Sequence, residues 1–182
     1  MATFNDRQGL PLTAASAAAA QAFDATLEQY LQFAKGTGDA LKACFAADPD
    51  MVMGHVLRGY FFHLMGQASL LERAGKAHAS ALKAAEVQGA TTREQGHVAA
   101  LGAWCAGDLA AAGRLWEAIL IEAPRDLLAL KLAHFAHFYL GELAQHRDSP
   151  ARVMHAWDEK VPGYGYVLGM RAFGLEEAGD YG

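Results

Sequence analysis

The chain has 182 residues, 53% of them hydrophobic, and a mean hydropathy of +0.05. This length and composition support one domain with a sizeable buried core, so we expect a single helical-repeat domain over residues 1–182. The formal net charge is −5, with 15 basic residues dispersed among 20 acidic ones. That balance argues against a nucleic-acid partner and against binding to an anionic membrane, because both need clustered Lys and Arg.

Residues 1–12 predict an extended lead-in to the first helix. Thr13 is placed to cap a helix over about 14–34, in which apolar residues recur at three- and four-residue steps. Two glycines then break the pattern, and a short helix follows over 39–47. These two helices form the first predicted pair, about 14–47. Alanine is abundant and β-branched residues are sparse, so we expect an all-α fold without strands.

The rest of the chain repeats this organisation. Asp148, Ser149 and Pro150 are typical of a helix start, which places the second helix of the fourth pair at about 148–159. A last helix over 164–178 has no partner. The predicted later pairs cover about 50–87, 92–123 and 126–160.

The segment Gly107 to Asp126 shows most clearly why these pairs form. Gly107 permits the backbone turn that ends one helix, and Asp108 can cap the next, whose apolar side must be buried on a neighbour. Pro124 then stops that helix. Turn glycines recur at spacings of 41, 34 and 38 residues, namely Gly66, Gly107, Gly141 and Gly179. The period indicates a tetratricopeptide-repeat-like right-handed superhelix of antiparallel helix pairs.

The unpaired helix 164–178 carries an apolar stripe that includes Val167, Met170, Phe173 and Leu175. An uncovered stripe of this kind is adhesive. We therefore interpret the chain as the amino-terminal part of a longer solenoid and expect possible self-association through this helix. The alternative is that helix 164–178 caps the fold.

Several features indicate a cytoplasmic protein. No stretch approaches the ~20 apolar residues of a membrane span, and the first residues lack the pattern of a signal peptide. Cys44 and Cys105 lack metal-ligand spacing and are expected to be reduced, packed thiols. Nucleotide-binding and nucleophile motifs are absent from the sequence. We expect no cofactor and no metal.

Beyond the generic repeat, many strings along nearly the whole chain resemble the tetratricopeptide repeat protein 38 family. Members of that family have further repeats after this point. The resemblance implies a helical-repeat architecture and leaves the chemistry undecided. The strings are LPLTAAS, FDATLEQY, AADPDMVMGH, TTREQGHV, LWEAILIEAPRDLLALK, FYLG, RDSPAR and YVLGMRAFGLEEAGDY.

In tetratricopeptide solenoids the first helix of each pair lines a concave groove, and residues at fixed offsets before the turn glycines share that face. An aromatic groove of this kind could bind a peptide, a protein or a small ligand. It could equally be filled by further repeats or by the lead-in. The predicted groove residues are Tyr60, His63, His97, Trp104, Lys131, His134 and Phe138.

An enzyme on the same fold is the alternative. Glu94 and His97 are three residues apart, as are His134 and His137, so each pair could face one metal ion or share a proton. His137 falls in the column that packs between helices, which predicts a buried, hydrogen-bonded histidine. Asp148 could supply a carboxylate, although pairing with the neighbouring arginine is the simpler interpretation.

Overall fold

The computed structural model describes residues 2–181, and these begin with a β-hairpin. Strand β1 (Ala2–Asn5) pairs antiparallel with strand β2 (Pro11–Ala14). The side chain of Asp6 closes the turn, since its Oδ1 accepts from the backbone N–H of Gln8 and of Leu10. The prediction of a chain without strands is therefore wrong for this segment, because the predicted lead-in folds back on itself at Asp6. Residue 1 lies outside the described residues.

The first helix also begins later than predicted. Thr13 lies in β2, and Ser16 caps the helix instead, its hydroxyl accepting from the backbone N–H of Ala19 at 3.1 Å. The residues from 2 to 14 are thus available to pack across later helices.

Nine α-helices account for most of residues 2–181, which confirms the predominantly helical class. Most bounds agree with the predicted ones to within three residues. The helices are α1 (Ala17–Leu31), α2 (Thr37–Ala47), α3 (Val52–Leu64), α4 (Leu71–Gln88), α5 (Thr92–Cys105), α6 (Leu109–Glu122), α7 (Leu127–Leu140), α8 (Leu143–Val153) and α9 (Tyr164–Glu177).

Helix α8 differs from its prediction. It begins at Leu143, and Pro150 lies inside it rather than at its start. Proline has no N–H to donate to the carbonyl four residues earlier, which is that of His146. Nδ1 of His134 lies 3.2 Å from this carbonyl oxygen and replaces the missing donor. A side chain from the preceding helix therefore permits the proline where local sequence rules place a helix start.

Each helix packs against the next, and the odd-numbered helices also contact one another, α1 with α3 and α7, α3 with α5, and α7 with α9. The contact between α1 and α7 brings the first helix onto the fourth pair. Trp116 and Trp157 lie in the core and are 0% and 6% exposed. Cys44 is buried, Cys105 is half-buried, and both are free thiols.

The recurring turns have the predicted backbone conformation. The four glycines that end α3, α5, α7 and α9 all have positive φ, between 62° and 82°, in the region that glycine adopts without strain. In three of these turns, those after α5, α7 and α9, the residue after the glycine donates its N–H to the carbonyl five positions earlier. This is the Schellman pattern of helix ends.

Helix α9 packs on α8 and α7, and Val167 in its predicted apolar stripe is fully buried. Gly174 permits the close approach, because a Cβ there would lie 2.7 Å from the carbonyl oxygen of His146. Leu168 on the same helix is 42% exposed. Among residues 2–181, no helix is both long enough and apolar enough to cross a membrane.

Candidate functional site

The seven predicted groove residues divide into an interior group and a group at cavities. Tyr60, His97 and His134 are 0%, 0% and 1% exposed, so the structure places them in the interior and not on an open groove. The sequence allowed both an open groove and one filled by the lead-in, and β2 of the hairpin contacts α1 and α3 while α1 contacts α7. The predicted ligand contacts of these three residues would need side chains that solvent does not reach. The other four, His63, Trp104, Lys131 and Phe138, lie at or near cavities.

Tyr60 and His97 belong to a buried polar network that joins four helices. Nε2 of His97 donates to Oδ2 of Asp126 at 2.9 Å, and its Nδ1 lies 3.2 Å from the Tyr60 oxygen. Tyr60 donates to the carbonyl of His97 at 2.8 Å and accepts from Nε1 of Trp116 at 3.0 Å. A His bonded to an Asp and to a hydroxyl has the connectivity of a proton relay. Here all of these side chains are buried and satisfied by one another.

Arg93 extends the network to the hairpin. Its guanidinium donates to Oδ2 of Asp126 at 3.1 Å, to Oδ2 of Asp6 at 3.0 Å and to the carbonyl of Pro11 at 2.8 Å. Burial alone would lower the pKa of Arg93, but the two carboxylates outweigh it and raise the pKa. Burial alone would raise the pKa of Asp126, and His97 and Arg93 together hold that pKa well below its usual value. Opposite charges thus stabilise each other in the interior.

Glu94 is also committed to structure. One carboxylate oxygen accepts from the backbone N–H of Thr13 at 2.9 Å, and the other accepts from the Thr13 hydroxyl and from the backbone N–H of Thr91 at 2.7 Å each. The Thr91 hydroxyl accepts in return from the backbone N–H of Glu94, completing a capping box at the start of α5. The predicted Glu94–His97 metal pair therefore lies in two different hydrogen-bond arrangements.

His134 stacks on His146 from α8, with ring centroids 3.7 Å apart and planes at 20°. Nδ1 of each ring lies within 3.2 Å of the other residue's backbone carbonyl, and both Nε2 atoms are buried without a hydrogen-bond partner. Burial lowers the pKa of His134 to about 3, and the neighbouring His146 contributes in the same direction.

His137 is buried and hydrogen-bonded, as predicted. Its Nδ1 lies 2.6 Å from a carboxylate oxygen of Glu142, and its Nε2 lies 3.1 Å from Glu117. Arg147 and Asp148 pair at 2.7 Å on the surface of α8. Within residues 2–181, no group of three or more His, Cys, Asp or Glu side chains is arranged to hold a metal ion.

Three cavities adjoin along the inner faces of the odd-numbered helices. One of about 350 Å³ lies between the ends of α1 and α3, one of about 270 Å³ contains Lys131, and a third of about 270 Å³ lies beside Trp104. Phe33 lines the first and second, Phe135 the second and third, and Leu64 the first and third. We call these three adjoining cavities together the inner hollow, and the one that contains Lys131 the Lys131 cavity.

Lys131 lines one of the three cavities of the inner hollow. Its side chain is nearly buried, and Nζ donates to the carbonyls of Leu31 at 2.8 Å and Tyr30 at 3.3 Å, at the carboxyl end of α1. Nζ also lies 3.7 Å from the ring centroid of Phe33 and 5.5 Å from that of Phe135. Burial lowers the pKa of Lys131 to about 8. The ammonium is thus held by carbonyl dipoles and aromatic faces.

Phe33 is the feature of this site that sequence reasoning missed. Its φ is +52° and its ring is 61% exposed, stacked on Phe135 at 5.9 Å. The N–H of Phe33 bonds to the carbonyl of Tyr30, and the next N–H bonds to that of Gln29, as in the glycine-centred turns. Phe33 therefore occupies the turn position that glycine fills elsewhere. Its spacing of 33 residues before Gly66 was the available signal.

Of the other predicted groove residues, two line the third cavity and Phe138 lines none of the three. His63 stacks on Trp104 with centroids 4.5 Å apart, and both line the third cavity. Phe138 is 39% exposed and packs against Phe173 of α9.

No protein-family model matches the sequence, and no solved structure matches the chain.

Proposed function

We propose that this chain is a tetratricopeptide-repeat-like superhelix of the tetratricopeptide repeat protein 38 family. In this proposal it acts in the cytosol as a scaffold whose inner hollow binds an apolar peptide, a protein segment or a small ligand. The observation that carries the proposal is the meeting of three cavities at Phe33, Leu64 and Phe135. A concave, largely apolar surface with a few polar groups, here Lys35, Thr37, His63 and Lys131, is the usual form of a binding site.

The origin of the lining residues supports the repeat arrangement. The inner hollow is lined mainly from α1, α3, α7 and α9 and from the turns that follow α1 and α3. Helices α1, α3 and α7 are first helices of their pairs, the ones that line the groove in a tetratricopeptide solenoid, and α9 is the unpaired helix that follows them. The positive φ at the recurring turns supports the same repeat.

The conformation of Phe33 supports a binding role. A residue other than glycine in the left-handed region costs on the order of 1 to 2 kcal/mol, and here the cost is spent on a side chain that stays 61% exposed. Glycine at this turn would avoid the strain. An exposed aromatic ring held over a cation is instead useful to a ligand that enters the hollow.

The alternative, an enzyme that uses His97 or His134 with a carboxylate, has less support. His97 and its partner Asp126 are 0% and 1% exposed, so a substrate has no path to them. His134 is stacked against His146 in the interior. Asp148 is paired with Arg147, and no hydrogen bond among residues 2–181 joins it to either histidine.

The proposal is tested by titrating the protein with Nile red, an uncharged dye that fluoresces when it enters an apolar site. We expect saturable binding by the native chain. Phe33→Ala and Phe135→Ala should each weaken that binding by about fivefold or more, because each removes an aromatic wall shared by two cavities.

Ile121→Ala is the matched control, since Ile121 is 78% exposed on α6 and lines none of these three cavities. Its affinity for Nile red should equal that of the native chain. Near-ultraviolet circular dichroism establishes that each variant keeps its packed core. Absence of saturable binding, or equal losses in all three variants, would reject the proposal.

A further inference from the structure

Among residues 2–181, Lys131 lacks the oppositely charged partner that buried charges normally have. Its side chain is 5% exposed, and no Asp or Glu among residues 2–181 forms an ion pair with it. A buried ammonium is costly unless it is paired and hydrogen-bonded. Arg93, whose side chain is 10% exposed, has two carboxylates. The negative partner of Lys131 is therefore not supplied by the described part of the chain.

The groups that do surround the ammonium compensate its charge in part. An ammonium has three N–H donors, and two of them bond to the carbonyls of Leu31 and Tyr30. The carboxyl end of a helix carries a partial negative charge, and the faces of Phe33 and Phe135 add a further attraction. The carbonyls and the helix end contribute dipoles and the aromatic rings contribute quadrupoles, and none of them carries a full negative charge. An anion beside Nζ would therefore still be stabilised by the ammonium.

The walls of the Lys131 cavity define the rest of the ligand. The cavity has a volume of about 270 Å³, and its other side chains are apolar or aromatic. Gly165 and Gly169 form one side of it, and a Cβ at either position would meet no atom within 4 Å. The space beside α9 is therefore open. A single cation within such walls matches a molecule with one anionic end and an apolar remainder.

The number of donors distinguishes between anions. A phosphate monoester carries more than one charge and is normally held by several donors or by a guanidinium fork. The Lys131 cavity offers one ammonium, and the exposed Arg7 near α1 is already paired with Glu28 at 3.1 Å. A carboxylate, with a single charge, matches the single donor group.

We propose that the Lys131 cavity binds a small apolar molecule that ends in a carboxylate, of the class of medium-chain fatty acids. The carboxylate accepts from Nζ of Lys131, and the hydrocarbon lies between Phe33, Phe135 and the glycine face of α9. The volume of about 270 Å³ suits a small molecule and not a helix of a partner protein. This inference rests on the proposed binding function and specifies its ligand.

The test compares three eight-carbon compounds as competitors of Nile red on the intact chain. Octanoate, octanol and octylamine share one hydrocarbon and differ in the charge of the end group. Octanoate should bind at least about tenfold more tightly than octanol, and octylamine more weakly than octanol. This comparison needs no variant, so it does not depend on how any substitution affects folding.

Lys131→Met should abolish the preference for octanoate over octanol and keep the binding of octanol. Lys35→Met is the matched control, because Lys35 is an exposed lysine that lines the adjoining 350 Å³ cavity. It should keep the full preference. An equal affinity for octanoate and octanol, or an unchanged preference in Lys131→Met, would overturn the inference.

The outcomes separate this inference from the proposal on which it rests. Nile red binding without a preference for octanoate rejects the carboxylate ligand and leaves the binding function intact. Loss of both rejects the binding function itself. An apolar tripeptide with a free carboxyl terminus that binds more tightly than octanoate would overturn the assignment to a small molecule.

Discussion

Arg93 and Lys131 are both cations held in the interior, and their surroundings differ in one respect. Arg93 contacts the carboxylates of Asp6 and Asp126, whereas Lys131 contacts two carbonyls and aromatic rings. Accordingly the pKa of Arg93 is raised and the pKa of Lys131 is lowered to about 8. Both cations are therefore buried, but Arg93 is paired with two carboxylates and Lys131 forms no ion pair among residues 2–181.

This difference distinguishes the region that joins the hairpin to the helices from the region that we propose binds a ligand. The Arg93 network joins the hairpin to α5 and α7, and its cation is paired with two carboxylates. The Lys131 cavity keeps both space and charge. The proposed binding site therefore depends on a lysine that forms no ion pair among residues 2–181, and not on the eight histidines of the chain.

The largest effect is expected when the two cations are removed in turn. Arg93→Met leaves Asp6 without its cation in the interior and takes one from Asp126, so the free energy of unfolding should fall by about 3 to 5 kcal/mol. Lys131→Met leaves no carboxylate unpaired and should change it by less than about 1 kcal/mol. Urea denaturation of both variants measures the difference. Equal losses would mean that Lys131 has an anionic partner in the fold.

The second prediction concerns the pH dependence of the free energy of unfolding. Asp126 should affect it at acidic pH and Lys131 at alkaline pH. The folded pKa of Asp126 is depressed, so its stabilising effect is present above the unfolded value of about 3.9 and is lost as the pH falls. The folded pKa of Lys131 is about 8 against about 10.4 in the unfolded chain. Between these values the unfolded state binds more protons, so the contribution of Lys131 to stability rises with pH.

Other groups titrate in the alkaline range, including Cys105, whose pKa is raised by burial. The measurement is therefore the difference in unfolding free energy between the native chain and Lys131→Met from pH 8 to 10.5. Relative to the variant, the native chain should become more stable over this range. A difference that stays flat would mean that Lys131 titrates at its ordinary value.

The smallest effect concerns the strained residue that covers the unpaired cation. Phe33→Gly relieves a positive φ and should raise the free energy of unfolding by about 0.5 kcal/mol, while binding of Nile red falls. Gly107→Ala, at the same position of a later turn with open space around its Cβ, should lower it by about 1 kcal/mol. Thermal denaturation of both variants gives the comparison. A loss of stability in Phe33→Gly would show that the ring serves the fold.

The helices and their turns could be predicted because they depend on local patterns. Apolar spacing located the helices, and glycine spacing located turns such as those at Gly107 and Gly141. The same offsets placed Lys131 on the inner face. The turn at Phe33 was not predicted because an apolar side chain at this position is typical of a helix, although the backbone has the conformation of the later glycines.

The buried network could not be predicted because its members are far apart in sequence. Asp6, Arg93 and Asp126 meet only once the hairpin has folded across α5, and no local spacing relates them. For the same reason the sequence could not decide whether His97 lies on an open groove or in the interior. Its burial depends on elements before and after it in the chain.

The hairpin has a consequence for how the molecule acquires its fold. Thr13 bonds to Glu94, 81 residues away, and the side chain of Gln8 bonds to the carbonyl of Pro162, 154 residues away. Contacts of such long sequence separation slow folding, whereas stacked repeats with neighbouring contacts can grow from any point. On the ribosome the hairpin would therefore lack some of its final partners until Pro162 has been synthesised.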